Sequence, residues 1–192
     1  MIEKEVKLRI RTSIEDVKRV IDRYGFRFID RYIETDTYFQ HPCRDFRESD
    51  EALRIRYRCS SSAGCIYRLT YKGPKKIING VKYRDEYEVE INDIDNTIAI
   101  LKSLGFKPVL SFSKIRYIYR DRDVEISIDN LCGVGIFMEI EGDEDRVREL
   151  MERFIELGEI VEKTYLEICI DTGRCIPISM DREDMCIEKQ LQ

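Results

Sequence analysis

The feature that most constrains this chain is alternation that carries a sign. Along residues 2–11, Ile2, Val6, Leu8 and Ile10 share one parity, while Glu3, Glu5, Lys7, Arg9 and Arg11 share the other; Lys4 alone breaks the pattern. A period of two sends each set to one face of a strand. Further on the pattern returns with one sign at a time. Arg54, Arg56 and Arg58 alternate with Leu53, Ile55 and Tyr57, and Glu86, Glu88 and Glu90 with Tyr87, Val89 and Ile91. Lys114 and Arg116 alternate with Ile115 and Tyr117, and Glu139 and Glu141 with Met138 and Ile140. Such strands need a cover for the apolar side and a partner or water for the charged side.

Helices supply the cover. Ser13 is placed to cap a helix whose stripe is Ile14, Val17, Val20, Ile21 and Tyr24, with Gly25 as its stop. Strands are expected at 26–40, 52–59, 65–72 and 81–91, then a helix over 93–104 ending at Gly105. Strands at 107–120, 123–130 and 134–142 follow, then helices from Glu144 to Leu157 and over 162–170. The order of strand with alternate carboxylates, amphipathic helix, Gly-Phe stop and aromatic-basic strand occurs twice, through Gly25-Phe26 and Gly105-Phe106. Two related halves closing about a pseudo-twofold axis predict an α+β fold, a closed antiparallel barrel of about eight strands flanked by helices. Residues 1–171 form that domain. The tail, 172–192, belongs to neither half and either packs over an opening or stays loose.

Several classes are excluded. A net charge of −5 opposes a general nucleic-acid surface. No apolar leader and no run of about 18 apolar residues is present, so a cytoplasmic protein without membrane spans is expected. The seven cysteines include no CxxC pair, which argues against a zinc site or a secreted disulfide framework. Free thiols follow for a reducing cytosol. Cys59 and Cys65 flank a hairpin-like loop and could face each other, and the charge-rich, isoleucine-rich composition suits a thermophile, in which intracellular disulfides occur. His41 is the single histidine, so no Ser-His-Asp triad can be built. Gly133 and Gly135 lack dinucleotide-loop spacing and shape a hairpin instead.

The charged faces are either solvated faces of a sandwich or the lining of a barrel whose helices lie outside. Taken together they favour the lining. Clustered carboxylates call for a cation and clustered arginines and lysines for an anion, and a divalent metal with a polyphosphate satisfies both.

Specific segments then bear a family resemblance. Glu3-Lys4-Glu5-Val6-Lys7 resembles the ExExK signature of the CYTH superfamily, the triphosphate tunnel metalloenzymes, which include class IV adenylyl cyclases, thiamine triphosphatases and inorganic tripolyphosphatases. Asp36-Thr37-Tyr38-Phe39 resembles its DxYF segment, Ala52-Leu53-Arg54-Ile55-Arg56 its ALRxR strand, and Leu69-Thr70-Tyr71-Lys72-Gly73-Pro74 its lysine-bearing strand end. Arg84, Glu86 and Glu88 resemble its RxExE strand, Lys114 and Arg116 its KxR strand, and Asp129, Glu139 and Glu141 its late acidic set, in order across residues 1–170.

The resemblance implies a linear triphosphate held in a tunnel with two Mg2+ or Mn2+ ions. Glu3, Glu5, Asp129, Glu139 and Glu141 would be the metal ligands. Lys7, Arg54, Arg56, Lys72, Arg84, Lys114, Arg116 and Lys163 would bind substrate, with Glu5, Arg56, Glu86 and Glu88 in the reaction itself. A class IV adenylyl cyclase-like reaction, ATP to cyclic AMP and pyrophosphate, is the first expectation. Hydrolysis of tripolyphosphate or thiamine triphosphate is the alternative, and a non-catalytic polyphosphate-binding module is the contrasting class. A homodimer is left open.

Overall fold

The computed structural model describes residues 2–60 and 62–188, without the side chains at 2, 3, 180, 187 and 188. The chain runs β1 (Ile2–Ile10), α1 (Ile14–Arg23), β2 (Arg27–Gln40), β3 (Ala52–Ser60) and β4 (Gly64–Lys72), then β5 (Lys76–Ile78) and β6 (Val81–Ile91). It continues α2 (Ile94–Ser103), β7 (Lys107–Asp121), β8 (Val124–Leu131), β9 (Gly135–Glu141), α3 (Glu144–Phe154), β10 (Gly158–Ile160), α4 (Tyr165–Thr172) and α5 (Asp184–Glu188). β5 and β10, three residues each, are too short for alternation to reveal.

All pairings are antiparallel. The strands follow one another as β1, β9, β8, β7, β2, β3, β4 and β6, and β6 returns to β1, closing an eight-stranded barrel. The repeat in the sequence is the repeat in the fold. β1–α1–β2–β3–β4 and β6–α2–β7–β8–β9 trace the same path and meet at two self-symmetric seams, β2 with β7 and β1 with β6.

Each helix has a reason to form and a face to bury. The Ser13 hydroxyl accepts the Asp16 amide at 3.1 Å, and the Asp16 carboxylate accepts from Ser13 and Thr12 in return, at 2.6 and 2.9 Å. Val17 and Ile21 of α1, with Val147, Leu150 and Phe154 of α3, bury Val6, Leu8, Ile126, Ile128, Met138 and Ile140 on the outer wall. Leu101 of α2 covers Phe39, Leu53 and Ile55. The barrel's apolar surface therefore faces outward, under helices.

α4 does something else. Tyr165, Ile168 and Cys169 pack on Tyr38, Ala52, Phe112, Leu131 and Phe137, which share inward parity with the charged rows. α4 thus plugs one end of the lumen.

The tail covers an outer wall instead of an opening. Ile178 packs on Ile33 and Ile115, the Ser113 amide donates to the Ile176 carbonyl at 3.0 Å, and the Ile176 amide donates to Cys132 at 3.2 Å. Free thiols are corrected as well: Cys59–Cys65, Cys132–Cys186 and Cys169–Cys175 are disulfides, and among the described residues only the exposed Cys43 is free. Cys59 and Cys65 are direct cross-strand partners, whereas Cys132 and Cys186 meet only because the tail folds back. Among the described residues, no helix is long and apolar enough to cross a membrane.

Candidate active site

The inward parity of the eight strands encloses a cavity of about 1700 Å3. Its wall is an ordered alternation of acids and bases, set by strand register.

β2 contributes Glu34 and Asp36, and β3 places Arg58 and Arg56 directly opposite them. Arg56 grips Asp36 with two parallel bonds of 2.7 and 2.8 Å and reaches Glu34 at 3.1 Å. Arg58 lies 2.5 Å from Glu34. Across the β2–β7 seam, Lys114 approaches the same Glu34 at 3.4 Å and Asp129 of β8 at 3.1 Å. Arg116 binds both oxygens of Asp129, at 2.7 and 2.5 Å, and also meets Glu139. Lys7 of β1 bonds Glu139 at 3.3 Å, and Lys82 of β6 bonds Glu5.

On the other flank Arg54 faces Asp36 at 3.4 Å, Glu86 at 3.8 Å and Glu88 at 3.9 Å, while Lys72 pairs with Glu86 at 2.8 Å. Thr70 and Arg68 each donate to Glu88, at 2.9 Å. Arg84 lines the cavity, with its guanidinium bonded to the carbonyls of Gly73 and Asp50.

These pairs shift their own titration. Burial disfavours the charged form of Glu34, yet Arg56, Lys114, Arg116 and Arg58 hold its carboxyl well below the usual carboxylate range. Burial likewise opposes ionisation of Asp36, but Arg56 and Arg54 bring it down to about 2. Glu139 is lowered by Lys7 and Arg116 against the same burial cost. Burial, with Arg116 beside it, pushes the Lys114 ammonium down to about 8, although Asp129 and Glu34 pull the other way. On the lumen wall two buried atoms, Glu34 Oε2 and Arg54 Nε, have no hydrogen-bond partner among the described residues.

The structure brings Glu5, Lys7, Arg54, Arg56, Lys72, Arg84, Glu86, Glu88, Lys114, Arg116, Glu139 and Glu141 to one cavity wall, with Asp129 bonded into it. Glu3 pairs with Arg84 through its backbone position, and its side chain lies outside the described ones. Lys163 also lines the cavity, with its side chain 62% exposed and paired with Asp171 at 2.7 Å, while its carbonyl accepts from Lys7 at 3.2 Å. Glu34, Arg58, Lys82 and Glu125 also line or adjoin the lumen and escaped the motif reading. Their inward parity was the available signal.

The donor set suits a hard divalent cation. Glu5, Glu141 and Glu125 are adjacent in register across β1, β9 and β8, so three like charges sit side by side on the lumen wall, an arrangement a cation relieves. Among the described residues no three acids already converge as a metal cluster. Glu5, Asp129 and Glu139 are instead paired with lysine and arginine.

Fold and lining define a closed antiparallel barrel with an acid-base lumen, plugged at one end. A CYTH domain model matches residues 1–167. A Methanocaldococcus jannaschii protein named as a candidate adenylate cyclase is 40% identical over 182 residues, 88% of this chain and 98% of the relative. A solved Pyrococcus horikoshii OT3 protein superposes with a TM-score of 0.75 at 37% identity, covering 88% of this chain and 99% of that one. A Hippeastrum protein, described as a candidate adenylyl cyclase with a dominant triphosphatase activity, shares the fold at 22% identity and a TM-score of 0.66, covering 91% and 98%. The chain belongs to the CYTH family, a family of metal-dependent triphosphate tunnel enzymes.

Proposed function

We propose that this protein binds a linear triphosphate in its lumen with divalent cations and hydrolyses the terminal phosphate. The observation that carries this is the ring of Arg54, Arg56, Lys114 and Arg116, interleaved with carboxylates and buried within one barrel wall. A phosphate chain can replace the carboxylates as partner of bases that are already largely desolvated.

Glu5, Asp129, Glu139 and Glu141 would hold Mg2+ or Mn2+, which when bound supplies charge neutralisation of the phosphate oxygens. Arg54, Arg56 and Arg116 bind nonbridging oxygens and oppose the charge that develops during phosphoryl transfer. Lys7, Lys72 and Lys114 add point charges along the chain of phosphates, and Arg84 holds the loop carbonyls beside them. Glu86 and Glu88, which meet Arg54 from β6, orient the attacking water and take its proton. Water adds to the terminal phosphorus, its bond to the bridging oxygen breaks, and orthophosphate leaves.

The plug at one end of the lumen favours hydrolysis over cyclisation. Cyclising ATP requires a nucleoside held so that its 3′-hydroxyl meets the α-phosphorus. At one end of the lumen the inward-facing Phe112 and Phe137 are covered by α4. Adenylyl cyclase activity is the second reading, motivated by the name of the M. jannaschii relative.

Incubation with tripolyphosphate, ATP and thiamine triphosphate, each with Mg2+ or Mn2+, separates the readings. Orthophosphate from tripolyphosphate supports hydrolysis, and cyclic AMP with pyrophosphate from ATP would replace it with cyclisation. No product from any of the three would leave a binding module.

A further inference from the structure

Tyr165, the first residue of α4, is 6% exposed, and its hydroxyl donates to Asp129 Oδ2 at 2.7 Å. The Lys7 and Lys114 ammonium groups lie 4.1 and 4.7 Å from the centre of its ring. Its backbone is fixed by the Thr164–Glu167 capping box, and Glu167 is itself clasped by Lys75 at 2.7 and 2.8 Å. Phe137 meets the ring edge-on at 5.4 Å.

We infer that Tyr165 is a positioning residue for Asp129, and that through this bond the α4 plug and cation binding stabilise each other. The inference rests on the reading that Asp129 helps to hold a divalent cation. Asp129 accepts from Arg116, Lys114 and Tyr165. A divalent cation held at this carboxylate would repel the guanidinium of Arg116 and the ammonium of Lys114 and weaken their bonds to it. The phenol is neutral and has no such reason to leave. It is the one donor that keeps the carboxylate oriented in both states, the role commonly filled by an outer hydrogen bond to a metal ligand. Because the phenol belongs to α4, a cation that favours this Asp129 geometry also favours the docked plug, by reciprocity of coupled equilibria.

Tyr165→Phe isolates the bond, since the ring, its packing and both lysine contacts remain. Mn2+ affinity without substrate, read from the electron paramagnetic resonance of free Mn2+, is expected to fall about tenfold or more. Metal-free tripolyphosphate binding by calorimetry is expected to change by less than about twofold, because the phosphate-facing bases are untouched. In the wild type, Mn2+ should also slow hydrogen exchange over residues 165–172, and in Tyr165→Phe that protection should be lost. Equal Mn2+ affinity in the two proteins, with binding lost in Asp129→Asn, overturns the positioning role and leaves the cation site standing. No Mn2+ binding by the wild type, or unchanged binding by Asp129→Asn, overturns the cation reading and this inference with it.

Discussion

Glu34 Oε2 lies 3.1 Å from Arg56 Nη1, and the Glu34 side chain is wholly buried, so one carboxylate on β2 acts as counter-ion to Arg56, Arg58 and Lys114 together. Removing it would take the shared counter-ion from three largely buried bases, leaving Arg56 only Asp36 and Lys114 only Asp129 among the described residues. Glu34→Ala should destabilise the fold by about 3–5 kcal/mol in denaturant titration, as loss of one member of a buried pair does. Tripolyphosphate should raise the melting temperature of this variant more than that of the wild type, since an anion can replace the lost partner. A loss below about 1 kcal/mol would mean that Glu34 does not organise the ring.

The Lys114 ammonium is pushed down from its ordinary value of 10.5 to about 8. In the folded protein it releases its proton over that interval, while in the unfolded chain it keeps it. Its charge therefore disfavours folding below pH 8, and the penalty is relieved as pH rises towards the unfolded value. For binding the sign is opposite. Above pH 8 the ring has lost a charge, so tripolyphosphate should bind more weakly and take up a proton on binding. Calorimetry in buffers of different ionisation enthalpy reads that uptake, and Lys114→Arg should abolish it.

Glu5 is buried at the β1–β6 seam beside Lys82, directly opposite Glu141 in register. Glu5→Gln keeps an acceptor for Lys82 and removes only the charge. Turnover of tripolyphosphate should fall by about a hundredfold or more, with the circular dichroism spectrum unchanged. Near-normal turnover would remove Glu5 from the cation site. Arg56→Ala is a poorer probe, because Arg56 is also the partner of two buried acids, Glu34 and Asp36.

The Cys132–Cys186 disulfide spans 54 residues and pins the tail over Ile33 and Ile115, whereas Cys59–Cys65 spans six and closes a hairpin already held by register. Loop-closure entropy predicts that Cys186→Ser costs about 2–4 kcal/mol and Cys59→Ser less. Denaturant midpoints without reductant test the order. A larger loss for Cys59→Ser would contradict it.

β3, β6 and the strand from Lys114 were legible because each carries a run of one kind of charge at period two, and β1 because its charges, Lys4 apart, alternate strictly with apolar residues. Glu34 was missed for the converse reason. The inward face of β2 mixes Tyr32, Glu34, Asp36 and Tyr38, so no run stands out, and its role appears only when β3 and β7 set arginines and a lysine against it. Lys163, suggested by its place before a recognisable helix, lines the cavity, where the cap geometry at Thr164 turns its carbonyl to Lys7 and its ammonium pairs with Asp171.

The sequence by itself determined strand parity, helix caps and the twofold repeat, because these depend on neighbours within a few residues along one chain. Which acid meets which base, that α4 fills one end of the lumen, and that the tail seals an outer wall through Cys132 and Cys186 were decided by tertiary structure alone. Those contacts join residues far apart in the chain, and their energies come from burial and register, which exist only once the barrel has closed.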